Sequence, residues 1–486
     1  KNTLTNILPN AGSVQTHKII RQQGDEYWLG TETGIYIINL KTGQHQLLQK
    51  EYSNPYSITD NVIYSFCKDR EGGTWIGSFF GGINYYSSQL NRFRKYFPYK
   101  GENSISGNLV HEICEDDEGN MWIGTEDAGL NKLELRTGRI TRYLPGSGPG
   151  SIAYQNLHGL VADGNNLWIG TYEHGLDRMD IRTGKVTRHY STENSSLGGN
   201  FIVSLYKTSA GEILVGTWNG LFRYNRQNDS FIRDAFFTMQ IQSIHEDSDG
   251  TLWVGSYGNG VYYHNPHTNQ SGRLRYDASN NNSLPNNYVN NVYEDRNHDL
   301  WFSTEAGLCK YDRKKGLVFR FDRNGLADKQ VFRVLEDGRG LMWISTSKGL
   351  LCLDPISGNT KTYTTVNGLL SEQFNYNSGY KSHDGTLYFG TVKGMISFNP
   401  AAFRKEEFVP PVFITGLQVN NKDMGAGKPG SPLHASVLYA TKIVLPHDSS
   451  SLSFEIAALS YITPEANEYA YIMEGLDKEW TYLKNN

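Results

Sequence analysis

The chain of 486 residues carries 46 Lys and Arg against 50 Asp and Glu, a net charge of −4 with neither sign gathered into a long run, which argues against a nucleic-acid partner. A mean hydropathy of −0.52 and the lack of any apolar stretch near 18 residues exclude a membrane-spanning helix within it. Four cysteines are too few for a disulfide framework. No secretory signal opens the chain. It starts on Lys1 without Met and stops at Asn486, just after strand-like Tyr482-Leu483, and so reads as a segment of something longer.

One phrase recurs along the chain: a large apolar residue, a β-branched or apolar one, Gly or Ser, Thr or Ser, then Gly a few residues later. It begins at Trp28, Trp75, Trp122, Trp168, Leu214, Trp253, Trp301, Trp343 and Tyr388, at spacings of 39 to 48 residues. A period in that range, filled with strand signals, predicts β-propeller blades. Gln242 to His264 shows the plan, with short apolar runs divided by Asp-Gly and Gly-x-Gly turns. A fourth strand follows a turn such as Arg136-Thr137-Gly138.

A Trp that returns in nearly every repeat is core packing, because a recurring position is not a single ligand site. The Thr or Ser after it is expected to hydrogen-bond within its turn. The acidic pairs Glu115-Asp116, Glu246-Asp247, Glu294-Asp295 and Glu336-Asp337 occupy one equivalent hairpin position, so turn chemistry outweighs catalysis or calcium binding. Asn61, Asn108, Asn156, Asn200 and Asn287 precede first strands and read as turn caps. Cys67 and Cys114 lie eight residues before their Trp, in equivalent places a blade apart, too far for a disulfide. With Cys309 and Cys352 they are expected to be small core residues. His158 and His245 are lone strand histidines, and no Cys/His cluster has zinc spacing.

Nine signatures exceed the usual maximum of about eight blades in one ring. Counting back seven from the end places a propeller at 101–408, which leaves 1–100 as two blades of a preceding, truncated propeller. One ring of eight or nine blades is the alternative. After Pro410-Pro411 a new strand series begins, and the alternation in Leu452–Tyr461 and Glu468–Met473 predicts a β-sandwich over 409–486, incomplete at its end. The fold class is therefore all-β, with seven-bladed propeller architecture followed by an Ig-like or fibronectin-like sandwich.

Function is expected where the repeats differ. The loops between second and third strands read Phe79-Phe80, Tyr172-Glu173-His174, Trp218-Asn219 and Tyr257-Gly258-Asn259, beside Glu126-Asp127, Glu305-Ala306 and Ser347-Lys348. Aromatic rings flanked by amide, carboxylate and imidazole groups suit sugar binding. The candidate ligand residues are therefore Tyr172, Glu173, His174, Trp218, Asn219, Tyr257, Asn259, Phe79 and Phe80. No catalytic residue, metal site or cofactor motif is nominated, since neither a P-loop nor a nucleophile elbow appears.

The phrase from Glu115 to Thr125 resembles the two-component regulator propeller repeat, with Met121 in place of Leu. Tyr461, Tyr469, Tyr471 and Glu474-Gly-Leu-Asp-Lys-Glu-Trp480 resemble the Y_Y_Y domain that follows such propellers. The resemblance implies the periplasmic sensor region of a Bacteroides-type hybrid two-component system. It implies a parent protein anchored in the inner membrane, homodimeric, with cytoplasmic kinase, receiver and DNA-binding parts. Such sensors read glycan-derived oligosaccharides and switch on polysaccharide-utilisation genes. This chain departs in having few blades before residue 101 and no transmembrane or kinase segment. A propeller glycosidase or lyase, and a protein-interaction scaffold, are the competing readings.

Overall fold

The structure, a computed structural model, describes residues 14–483 except 100–102, 147, 322–325, 327–328, 404–408, 448, 450, 463, 465–466 and 468. Lys1, Glu468 and Asn486, named above, lie outside the described residues. Strands dominate, with three single-turn 3-10 segments among the described residues. The chain divides into two compact units, Asn91–Phe403 and Lys1–Leu90 with Arg404–Asn486.

Asn91–Phe403 holds seven four-stranded antiparallel sheets. Blades 1 to 6 each take four consecutive strands, beginning at Val110, Leu157, Ile202, Ile241, Val289 and Val331. Blade 7 takes Phe374–Lys381, Leu387–Thr391 and Gly394–Phe398, and its outer strand is Arg94–Tyr96, with Met395 opposite Tyr96 and Ser397 opposite Arg94. Each first strand lies against that of the next blade, and Phe374–Lys381 returns to Val110–Glu115, so the ring closes. The boundary at residue 101 is thus too late. A last sheet that borrows its outer strand from the other end of the segment ties the two ends of the ring together and keeps the apolar strand Gly394–Phe398 from standing as an edge.

The repeated phrase builds this ring through a division of labour. The indoles of Trp122, Trp168, Trp301 and Trp343 are at most 1% exposed. In each acidic pair the Asp serves its own blade: Asp116, Asp247, Asp295 and Asp337 accept the indole N–H six residues on, at 2.6 to 3.2 Å. Their other oxygen takes backbone N–H groups of the hairpin, as Asp295 takes those of Asn297 and Asp299. The Glu reaches the preceding blade: Glu246 accepts from Ser209 N, Glu294 from Ser248 N and Glu336 from Arg296 N. Glu115 accepts from His383 N at 3.1 Å, across the closure.

All nine Thr or Ser hydroxyls donate to the carbonyl of the following turn glycine at 2.7 to 3.0 Å. At Gly175 (φ +80°) a Cβ would sit 2.2 Å from Tyr190 O. The glycine within the Trp phrase serves close approach between blades: a Cβ on Gly170 would lie 2.5 Å from Ile202 Cγ2, and one on Gly390 2.6 Å from Val110 O. Three of the asparagines bridge rather than cap, their Oδ1 accepting from Lys50 N, Thr192 N and Tyr276 N in the preceding connection.

Blades 2, 3 and 7 lack the clamp. Ala162, Thr208 and Ser382 stand in the Asp position, blades 3 and 7 carry Leu214 and Tyr388 in place of Trp, and in blade 2 Trp168 Nε1 is buried without an acceptor. The clamp's worth is measurable elsewhere: Asp295→Ala strips acceptors from one indole and two backbone N–H groups. Equilibrium urea unfolding is expected to show a loss of about 2–3 kcal/mol, and a loss below about 0.5 kcal/mol would mean water replaces the carboxylate.

In the other unit, Thr16–Leu48 forms a four-stranded sheet and Ile63–Tyr86 a three-stranded one. Cys67, expected in the core, is exposed here, whereas the equivalent Cys114 is buried beneath Leu157 and Leu160 of blade 2. Among the described residues of this unit no four-stranded sheet follows Ile63–Tyr86 to cover that face, and Cys352 is likewise only partly buried. The C-terminal part pairs Val412–Val419 with Leu452–Ala458 and Tyr469–Tyr471 with Thr481–Leu483. It meets the three-stranded sheet at Glu71, which accepts from Tyr461 N and Ile462 N, and at Trp75, edge-on to the Tyr461 ring at 5.5 Å.

Candidate functional site

Two kinds of loop share one face of the seven-bladed ring. In blades 1, 2, 5, 6 and 7 the loop after the second strand is tied to the segment leading into the first strand of its own blade, as in Glu126 N to Leu109 O, Tyr172 N to Asn156 O and Glu305 N to Tyr288 O. Side chains from both kinds therefore converge.

They converge as a continuous series of rings. Tyr288 meets Tyr257 edge-on at 4.7 Å, Tyr257 meets Trp218 at 6.3 Å, and Trp218 stacks on Phe201 at 6.0 Å. Phe201 meets Tyr172 at 4.7 Å and His158 at 5.3 Å. His158 touches His111 at 4.3 Å, which meets Tyr376 edge-on at 4.6 Å. The outer rings are open, Trp218 being 51% exposed and Tyr257 52%, while His111 and His158 are buried toward the axis.

Burial, with His111 adding to it, pushes the His158 imidazole down to about 2, and burial raises the Tyr376 phenol. His158 and Tyr376 are thus uncharged near neutral pH. Carboxylates flank it: Glu126 accepts from Asn375 Nδ2 at 2.7 Å, and Glu305 from Asn290 Nδ2 at 2.8 Å and Gln330 Nε2 at 2.5 Å.

Blade 7 contributes a distortion here. In blade 6 the step from Val331 to Val334 matches Thr346 to Ile344; in blade 7 Phe374 to Gly379 matches Thr391 to Phe389, two residues more. The surplus bulges toward the axis. Asn377 takes a left-handed φ of +57°, and its Nδ2 donates to Gln242 O of blade 4 at 3.3 Å.

Of the sequence candidates, Tyr172, Trp218 and Tyr257 come together. His174 does not join them: its ring stacks on Tyr154 at 3.9 Å and its Nδ1 lies 3.0 Å from Tyr172 O. Asn219 donates to Gly198 O, and Asn259 accepts from Arg273 through both its oxygens, so both serve the scaffold. Glu173 is exposed with a left-handed φ of +59°. Phe79 and Phe80 belong to the other unit, in a separate cluster with Tyr64 and His17. Sequence reasoning missed Phe201, Tyr288, His111, His158 and Tyr376 as members. A usable signal was the position after the recurring Asn, aromatic only at Phe201 and Tyr288 among those five. Among the described residues no group of three His, Cys, Asp or Glu could hold a metal ion.

The ring and its repeated turn define a β-propeller. The two component regulator propeller family matches four segments of it and of the other unit, residues 57–80, 104–127, 235–258 and 283–306. The chain is similar to the extracellular domain of the hybrid two component system BT3049 from B. thetaiotaomicron: 25% identical, TM-score 0.77, over 97% of this chain and 62% of that one. The extracellular domain of BT4673 from the same organism, 21% identical with TM-score 0.54 over 96% of this chain and 64% of that one, shares the fold. Histidine kinase P4 of Formosa agariphila is 24% identical over 304 residues, 52% of this chain and 22% of the kinase. The chain therefore spans less than two thirds of each of these relatives. Among the described residues no helix is long and apolar enough to cross a membrane.

Proposed function

We propose that this chain is the extracytoplasmic, ligand-reading part of a hybrid two-component sensor, and that the aromatic face of its ring binds a glycan-derived oligosaccharide without cleaving it. The observation that carries the reading is the run of rings from Tyr172 through Phe201 and Trp218 to Tyr257 and Tyr288, all exposed but the half-buried Phe201. Sugars present flat C–H faces to such rings and hydroxyls to neighbouring carboxylates such as Glu126 and Glu305. Similarity to the BT3049 extracellular domain supports the sensor class. In this reading the segment lies in the periplasm, its parent is a membrane-anchored homodimer, and the output reaches DNA only through cytoplasmic parts. Residues 1–90 are the end of a preceding propeller, and 409–486 form an Ig-like Y_Y_Y module whose contact with Glu71 and Trp75 is one point of relay.

Titration calorimetry of the chain against oligosaccharides from plant and host glycans tests this, with each mixture checked for cleavage. Saturable binding without product is expected, and Trp218→Ala is expected to weaken it about tenfold or more. Product formation would turn the reading to a propeller enzyme. Binding to protein but to no sugar would turn it to an interaction scaffold.

A further inference from the structure

Beneath the aromatic face the axis of the ring is hollow. A cavity of about 460 Å³ is lined by the first strands of all seven blades, from the level of Glu112, Arg333 and Asn377 down toward the hairpins that follow those strands. Its walls are mixed, with aliphatic Ile113, Leu160, Leu205, Ile244, Val292 and Leu335 interleaved with polar and charged side chains.

Arg333 stands apart in this space. Its Nε is buried without an acceptor, and no carboxylate forms an ion pair with it among the described residues. The other cation of the lining, Lys207, is held by Asp163 at 3.2 Å, and Glu115 is engaged by His383 at 2.9 Å. Glu112 acts on Arg333 only at longer range, and burial raises the Glu112 carboxyl toward its neutral form. The stem of Arg333 crosses bare glycine: a Cβ on Gly379 would lie 2.6 Å from Arg333 Cγ. Three further polar atoms at the cavity lack partners, Ser243 Oγ, His245 Nε2 and Asn377 Oδ1.

An uncompensated guanidinium inside a protein is costly, and its planar fork matches a carboxylate in two parallel hydrogen bonds. Orphaned polar atoms around it, Ser243 Oγ and His245 Nε2 beside the acceptor Asn377 Oδ1, with aliphatic side chains between them, describe a ligand with one charged end and an organic body. We propose that the axial cavity is a second binding site, separate from the aromatic face, that takes a small organic carboxylate on Arg333 with Ser243 and His245 as neighbouring polar contacts. The aliphatic side chains of the lining and the nearby Glu112 disfavour an inorganic dianion.

Calorimetry of the whole chain with butyrate and glucuronate as probes, and with inorganic phosphate and glucose as controls, tests the site. Saturable heat is expected from a carboxylate probe and from neither control. Arg333→Leu is expected to weaken that binding about thirtyfold or more while leaving the ligand-free chain as resistant to urea as before, because an apolar residue replaces an unpaired charge. Trp218→Ala is expected to leave it unchanged, which separates this site from the oligosaccharide face. Should Arg333→Leu not fold, Arg333→Lys and Ser243→Ala read the same contacts, each with at least about fivefold weaker binding. No heat from either carboxylate at 10 mM (on the order of the weakest binding worth assigning), or undiminished affinity in the Arg333 variants, would overturn the proposal.

Discussion

A fragment that begins at Gly101 and ends at Phe403 is expected to fail as a monomer, whereas one that begins at Asn91 folds cooperatively. The ten residues between include Arg94–Tyr96, the outer strand of blade 7, and Phe93. Phe93 lies 5.7 Å from Tyr363, 5.1 Å from Phe398 and 5.2 Å from Phe403, and is itself 3% exposed. Tyr96 joins Ile113, Tyr388 and Met395 in the cluster beneath blade 1. Losing these two aromatics removes about 1.5–3 kcal/mol of burial each, before any strand hydrogen bonds are counted. It also bares Gly394–Phe398, whose five residues are all buried, as an unpaired apolar edge open to another chain. Size-exclusion chromatography and thermal unfolding of the two fragments decide the matter. A monomeric 101–403 fragment with the melting temperature of the longer one would show the borrowed strand to be dispensable.

Acid is expected to weaken the ring through its buried histidines. Burial holds His158 at about 2 and His245 at about 4 in the folded chain, both below the unfolded value near 6.5. As pH falls through 6.5 the unfolded chain takes up these protons and the folded chain does not. Stability therefore declines from about pH 6.5 downward, His245 ceasing to contribute below about 4 and His158 only near 2. Between pH 6 and 4.5 the pair costs on the order of 2 kcal/mol per pH unit. His189, raised by its hydrogen bond to Asp177, acts with the opposite sign, gaining stability as pH falls, but it is partly exposed and its share is small. His158→Phe keeps a ring among Tyr172, Phe201 and Tyr376 and removes one titration. Urea unfolding from pH 7 to 4.5 should give a visibly shallower decline for this variant, and parallel curves for variant and parent would remove His158 from the account.

The contrast between what could be read in the residues and what could not is itself physical. Blades were legible because each repeats its own turn, and the turn is local: hydroxyl to glycine carbonyl, Asp to the indole six residues on. The outer strand Arg94–Tyr96 was not, because three residues carry no periodicity and their partner lies some 300 positions away. Exposed aromatics in the loops after second strands signalled Tyr172, Trp218 and Tyr257. The rings that join them, Phe201 and Tyr288, come from the other kind of loop, and only the packing of neighbouring blades brings the two sets together. Asn219 and Asn259 misled for a related reason: an amide on an aromatic loop reads the same whether it faces a sugar or fastens a neighbouring carbonyl or guanidinium. Cys67 was misplaced because equivalence along the chain says nothing about whether another sheet covers the position.

The two surplus residues of blade 7 carry a last consequence. A wheel of seven like spokes has no preferred starting point, so a molecule approaching its hub would meet several nearly interchangeable poses. The intrusion at Tyr376 and Asn377, fastened across the hub to Gln242, abolishes that degeneracy and gives the wheel a zero mark. A hub with one marked spoke tells apart rotational settings that seven like spokes would leave equivalent.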